Sequence, residues 1–461
     1  MRFNFLHQNT EQRRELILHG NIVKTIFLLS VPTLMMALVN SIMPIIDGLF
    51  INNIAGTIVA SSITYCFPIV NMAGAVAQGL SVAGMAMIGQ TNGRGDFQQA
   101  KHLSAQLVVF SFILGCLAAP ILVLVAFPIS SHVDAAISHD VFVYLALNSL
   151  VIPFSFLESI YNSIKNASGK PEATFIRMVL MLILKIIFNT VFIAVLRWGI
   201  VGAVMASLAS NILICIWMFY ELFVMKNADK LEIKGFQFDF GILRDLVRLG
   251  IPSILSSVLL NLGFVLINNE VQKYGPIVLN AQGISGNITS VCFQLPSAYG
   301  AAITTIVSMN VGAGQGRKAR KSTLVGCGIS ALTAIAIVAI VVPLSPYLTI
   351  LFTREGEVLG IANKALHIYT YSVLGFGICM VMQGAFVGLG RMKVPLVMSI
   401  LRIWLLRYLF ILATEGYLSF YSVFWGNLFS NYMAAFIIAL LILRVRWVSV
   451  IPGRSLVEKE A

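Results

Sequence analysis

Twelve apolar runs, each long enough to cross a bilayer, leave this 461-residue chain one kind of fold. A transmembrane helix needs roughly 20 predominantly apolar residues. Runs of that kind lie at 24–51, 58–80, 102–127, 141–163, 173–196, 199–224, 249–271, 277–309, 321–342, 365–389, 394–414 and 418–443. Backbone polar groups in lipid must be satisfied internally, so these runs become helices unless they alternate as barrel strands do. They do not alternate. The fold class expected is an all-α membrane protein with twelve transmembrane helices. Only 11% of residues are charged, against about 25% in an ordinary soluble domain, so almost nothing is left over for a soluble body. Residues 1–21 are polar and carry Arg13, Arg14 and Glu15, which is not the pattern of a cleavable signal peptide.

The net charge of +12 would suggest nucleic acid in a soluble protein. Here the basic residues sit in short loops between spans, with no interleaved aromatics, and topology accounts for them. With the N-terminus inside, 24 Lys and Arg fall on the inner side and 4 on the outer, Arg197, Lys273, Arg354 and Lys364. Lys185, Arg402 and Arg407 remain within spans. The positive-inside rule then places both termini in the cytoplasm of a multi-pass plasma-membrane protein. The six cysteines all lie inside apolar runs without metal-ligand spacing and read as small packing residues.

The chain also repeats itself. KTIFLLSVPTLMMALVN (24–40) resembles RDLVRLGIPSILSSVLLN (244–261), with Pro32 matching Pro252. IGQTNGRGDFQQAK (88–101) resembles VSMNVGAGQGRKAR (307–320), and Gly169 matches Gly390. The implied domains are an N-terminal lobe at 1–225, a cytoplasmic linker at 226–248 and a C-terminal lobe at 249–461. Six spans is an even number, so the two pseudo-symmetric lobes run in the same direction. Parallel repeats of this kind are a signature of secondary transporters, with substrate handled between halves that rock.

Several motifs together resemble the multidrug and toxic compound extrusion (MATE) family. They are SVPT (30–33), IIDGLFI (45–51), GQTNGRGDFQQA (89–100), WGIVGAVMASLASN (198–211), INNEVQKYGPIVLNAQGI (267–284) and MNVGAGQGRKARK (309–321). The likeness covers nearly the whole chain. It implies two six-helix lobes and efflux driven by protons or sodium, and the first-span acid places it with the prokaryotic DinF-like branch.

An ionisable group inside a span is costly and is a functional candidate by default. Asp47 comes first. Asn40, Pro44 and Asp47 share a helix face by their spacing, and Pro44 removes a backbone hydrogen bond beside the acid. The resemblance assigns Asp47 to the family's coupling aspartate. In span five the family has an N-x-x-x-D pair, where this chain has Lys185 and Asn189. That departure turns a doubly acidic cluster into a potential ion pair, which reads either as coupling machinery or as a static packing pair. Asp47, Lys185, Asn189 and Asn40 are the ion-coupling candidates. Tyr144 and Ser207 align with family cavity residues or are simply satisfied hydroxyls. Glu158 and Asn162, on one face of span four, read as a substrate or proton site or as an interfacial carboxylate with its neighbour. Asn268 on span seven is a further cavity candidate. Glu270 reads as interfacial, Arg402 and Arg407 as buried or snorkelling cations, and Arg402 as a structural hydrogen-bonding residue of its lobe.

No phosphate-loop, metal or nucleophile motif occurs, so neither an enzyme nor a cofactor is expected. The chain is read as a monomer surrounded by lipid. Its working partners are a small-molecule substrate, cationic or amphipathic, and a proton or sodium gradient, with protons favoured. The alternative is a flippase for a lipid-linked oligosaccharide or another lipid, which the three intramembrane cations keep open.

Overall fold

A computed structural model describes residues 9–51, 54, 57–131, 135–225, 230–231, 236–352 and 356–448. Every regular element among them is helical. In order these are α1 (Thr10–His19), α2 (Ile22–Phe50), α3 (Thr57–Arg94), α4 (Phe97–Ser131), α5 (Ala135–Asn148), α6 (Ile152–Ala167), α7 (Pro171–Asn189) and α8 (Gly199–Phe219), then α9 (Phe240–Gln272), α10 (Pro276–Gly312), α11 (Gly316–Ile350), α12 (Gly356–Gly388), α13 (Lys393–Ile400), α14 (Leu409–Leu418) and α15 (Tyr421–Arg444). Among the described residues, π-helical segments interrupt this series at Thr190–Val195, Tyr220–Val224 and Leu401–Tyr408.

Among the described residues, eleven helices are long and apolar enough to span a membrane, and α5 with α6, a pair bent by 50°, makes a twelfth when counted as one span. The sequence reads 141–163 as one span. The break follows from Pro153. Proline has no N–H to donate to the carbonyl of Ser149 and its ring crowds that carbonyl. The backbone closes instead through tight bonds from Leu150 N to Leu147 O at 3.1 Å and from Val151 N to Asn148 O at 2.9 Å. Two further boundaries differ from the expectation. The polar start of the chain holds a helix, α1. The segment expected as linker up to residue 248 is already helical from Phe240, because Asp239 Oδ1 accepts from Gly241 N at 2.9 Å and so caps α9.

The repeat is visible in the turns. Gly95 and Gly314 both take left-handed φ, +85° and +74°, and so do Gly169 and Gly390, at +73° and +79°. Each ends a helix in the conformation that a Cβ disfavours.

The chain divides into two compact units, Met1–Leu16 with Met35–Ile254, and Ile17–Leu34 with Leu255–Pro452. In the first unit, Cys66, Leu122, Leu145 and Phe156 meet in one apolar cluster. In the second, Ile303, Val381, Phe386 and Ile438 do. There α10 and α12 approach backbone to backbone. A Cβ on Gly300 would stand 2.8 Å from the carbonyl oxygen of Met380, and one on Gly384 would meet the Gly300 carbonyl. Association in lipid lacks a hydrophobic drive, so contact between small residues supplies the packing energy.

Candidate ion-coupling site

In the first unit, α2 presents Asp47 to α7. Lys185 and Asn189 are one turn apart on α7 and so lie on one face. Both reach the same carboxylate. Lys185 Nζ donates to Asp47 Oδ2, and Asn189 Nδ2 donates to Asp47 Oδ1 at 2.9 Å. Each carboxylate oxygen therefore already faces an N–H donor. The site is only partly closed, since the Asp47 side chain keeps 27% of its accessible surface and Lys185 12%, while Asn189 is buried. Immediately after Asn189 the helix changes to i→i+5 bonding over Thr190–Val195. Such π segments recur at functional positions in helices.

Tyr144, on α5, is half-buried and within electrostatic range of Asp47. Asn148 Nδ2 donates back to the Tyr144 carbonyl at 2.9 Å, just where that span breaks. Asn40 does not join the cluster. It is exposed, and no hydrogen bond links it to Asp47. The i, i+7 spacing put both on one face, but seven residues of rise, about 10 Å, separate them along the helix. Ser207 is satisfied within its own helix, donating to Ala203 O at 3.2 Å, while its carbonyl accepts from Asn211. The side chains of Pro44 and Asn268 lie outside the described residues.

Glu158 has a partner that sequence reading had assigned to the loop tally. Arg177 Nη1 donates to Glu158 Oε2 at 2.7 Å, and Arg177 Nε donates to Asn162 Oδ1 at 3.2 Å. Arg177 is buried on α7, so the pair joins α6 to α7. A second polar cluster was missed altogether. Glu221 accepts from the Tyr161 hydroxyl and from Lys165 Nζ, both at 2.5 Å, and Lys165 stands 5.3 Å above the Tyr161 ring. Glu221 follows α8 in the Tyr220–Val224 π segment. Its only sequence signal was an acid at the end of an apolar run. Arg13 of α1 pairs with Glu172.

In the second unit, Glu270 is buried and takes hydrogen bonds from Lys273 and, at 3.4 Å, from the Tyr408 hydroxyl. Arg402 and Arg407 are both buried and line a cavity of about 440 Å³. Among the described residues, no cluster of three metal-ligating side chains occurs.

A model of the MatE family matches residues 32–191 and 252–412. The two matches begin at Pro32 and Pro252, the prolines paired by the internal repeat. Among curated proteins, the chain is 23% identical to the "Probable multidrug resistance protein YoeA" of Bacillus subtilis, over 91% of its own length and 92% of that protein's. It is 22% identical to the "Multidrug export protein MepA" of Staphylococcus aureus, over 95% and 97%. Among solved structures it is similar to a crystal structure of MATE in complex with MaL6, with a TM-score of 0.87, 23% identity and coverage of 93% and 97%. A second is the outward-facing conformation of a multidrug resistance MATE family transporter, with a TM-score of 0.86, 22% identity and coverage of 95% and 98%. These likenesses establish the fold.

Proposed function

We propose, from the premise that the chain belongs to the MATE family, that it exports small amphipathic organic molecules across the cytoplasmic membrane in exchange for protons. The names of the Bacillus and Staphylococcus relatives, a multidrug resistance protein and a multidrug export protein, support export. The excess of inner-side Lys and Arg supports an orientation with both termini in the cytoplasm. The first-span acid supports a place in the DinF-like branch, whereas the likeness to YoeA and MepA supports a place beside those exporters.

The observation that carries the choice of ion is the double engagement of Asp47 by Lys185 and Asn189. Sodium needs oxygen ligands and net negative charge. Here an ammonium occupies one side of the only nearby carboxylate among the described residues, and an amide N–H occupies the other. A second cation 4 Å from the Lys185 charge meets a repulsion of about 4 kcal/mol at an effective dielectric of 20. A proton meets the same ammonium, but it binds a single carboxylate oxygen and needs no set of oxygen ligands around it. Adding it to Asp47 removes the charge that holds Lys185 and loosens α2 from α7 at that point, leaving the neutral bond from Asn189. Proton entry is thereby tied to a change in helix contacts, which is what coupling requires.

The expectation of a cationic substrate leaned on the same acid. With both Asp47 oxygens held inside the protein, the amphipathic part of that expectation keeps its support and the cationic part loses it. The test is transport by the purified protein in liposomes under imposed gradients. A pH gradient should drive export, and Asp47→Asn should abolish it. Lys185→Asn combined with Asn189→Asp should introduce sodium dependence. Wild-type transport that responds to a sodium gradient and ignores a pH gradient would refute proton coupling, as would full active transport by Asp47→Asn.

A further inference from the structure

Arg402 and Arg407 pose a physical problem that the coupling site does not address. Both are more than nine-tenths buried. Arginine cannot escape burial by losing its proton, so each guanidinium needs compensation where it stands. Arg402 Nη1 has only a long bond to Asn431 Oδ1, 3.4 Å, and its guanidinium carbon lies 5.2 Å above the Phe376 ring. Arg407 stands within electrostatic range of the Tyr369 side chain. The Nε atoms of both arginines have no hydrogen-bond partner. Neither arginine is ion-paired with a carboxylate among the described residues, where the acid Glu270 is already taken by Lys273.

Both arginines come from one π-helical segment, Leu401–Tyr408. On an α-helix, residues five apart point roughly 140° away from each other at 100° per residue. With i→i+5 bonding the turn is wider and brings both toward one side of the helix, where both line the same cavity. The segment therefore delivers two cations to the same wall. Trp404 Nε1, donating to Leu259 O at 2.8 Å, fastens the segment to α9.

The wall they share encloses a cavity of about 440 Å³, within the range of small-molecule sites. Its remaining lining joins Phe264, Phe293, Phe376 and Met380 to uncharged polar side chains, and among the described residues it includes no acidic one. Two of the nearby amides are spent on the protein. Asn431 Nδ2 donates to Asn427 Oδ1 at 3.4 Å, and Asn427 Nδ2 donates to Ser372 Oγ at 3.1 Å.

We propose that this cavity binds an organic oxyanion, a carboxylate or phosphate head held by Arg402 and Arg407 with an apolar or aromatic body against the phenylalanines. A planar guanidinium recognises such a head through paired charge-assisted hydrogen bonds, and the bound anion supplies the compensation the fold omits. Identifying this molecule as cargo rests on the export reading. Binding to the cavity does not, and binding is therefore what the experiment measures, with no gradient applied.

The probes are dansylglycine and its uncharged amide, titrated by fluorescence against the full-length protein in dodecyl maltoside micelles. The acid should bind at least about 10-fold more tightly than the amide. Arg407→Gln should erase that difference. Asn431→Asp places a carboxylate where Arg402 already finds an acceptor, so it tests the site without stranding a buried cation. It should weaken the acid about 10-fold or more, leave the amide unchanged and keep the melting temperature at or above that of the wild type. Equal binding of acid and amide by the wild type would overturn the proposal, as would undiminished acid binding by folded Asn431→Asp. A repeat with added phosphatidylglycerol separates two sources of the same chemistry. Unchanged acid binding assigns the site to a soluble organic anion, and competition assigns it to a lipid headgroup. The liposome assay with a pH gradient tests export separately, so either reading can fail without the other.

Discussion

Glu158 offers the sharpest test of which intramembrane acids move and which merely hold. Its Oε2 accepts from Arg177 Nη1 at 2.7 Å, and the two side chains keep only 15% and 3% of their accessible surface. At that distance and an effective dielectric of 20, the attraction is about 6 kcal/mol. Against it stands the cost of taking two ions out of water, several kcal/mol each, so the intact pair contributes little net stability. Removing one partner leaves the other's desolvation uncompensated, which typically costs about 3–5 kcal/mol. Glu158→Gln should fall at the lower end of that range, because the Gln oxygen still accepts from Arg177. Arg177→Met should cost more, because it also strips Asn162 of its donor. Replacing both, Glu158→Met with Arg177→Met, should recover most of the loss. The assay is the midpoint of SDS-induced unfolding in mixed micelles, read by tryptophan fluorescence, together with transport per folded molecule in liposomes. A strut predicts reduced stability with transport per folded molecule retained. A Glu158→Gln variant of full stability with no transport would refute this reasoning and return the acid to the transport path.

Three other outcomes follow from the geometry. A cysteine at Ser131, which is exposed at the end of α4, should react with an impermeant thiol reagent added outside intact cells, and one at Asp229, outside the described residues, should not; reversed labelling would overturn the orientation. Gly300→Val should destabilise the second unit by about 1–3 kcal/mol through overpacking, since its side chain must displace the Met380 backbone; an unchanged SDS midpoint would contradict the close approach of α10 and α12. Asp239→Ala should cost about 1 kcal/mol by removing the cap of α9, and Asp239→Asn or Asp239→Ser should restore it.

Much of the architecture was legible because hydropathy and charge are summed over long windows. All twelve apolar runs meet a helix, with the fourth supplied by the bent pair, and the paired glycines of the repeat end equivalent helices. The contact of Asp47 with Lys185 and Asn189 was reachable only through the family resemblance, because nothing in the sequence brings residue 47 to residue 185. What escaped depended on detail that such windows average away. Pro153 sits within an apolar run, and a sum over the run conceals the break it causes. Arg177 was counted among loop charges because a cation near a span end looks like topology. It became the partner of Glu158 only once α6 and α7 were seen to pack. Asn40 failed for the opposite reason, since a shared helix face does not put two residues at the same height. Arg402 and Arg407, five residues apart, look like opposite faces on any α-helical reading.

An i→i+5 turn accommodates one surplus residue in a helix while leaving both flanks facing as before. Loss of a single codon between Ile403 and Leu406 would restore α-helical bonding and leave the two arginines four apart, still stacked on one side. The same loss in the middle of α10 would rotate everything after it by about 100° and turn a packed face toward lipid. Relatives of this chain can therefore keep the same pair of cations on the same wall at a spacing of four or of five. A one-residue deletion inside this span then leaves the pair on its wall, where a position-by-position comparison would record a missing arginine.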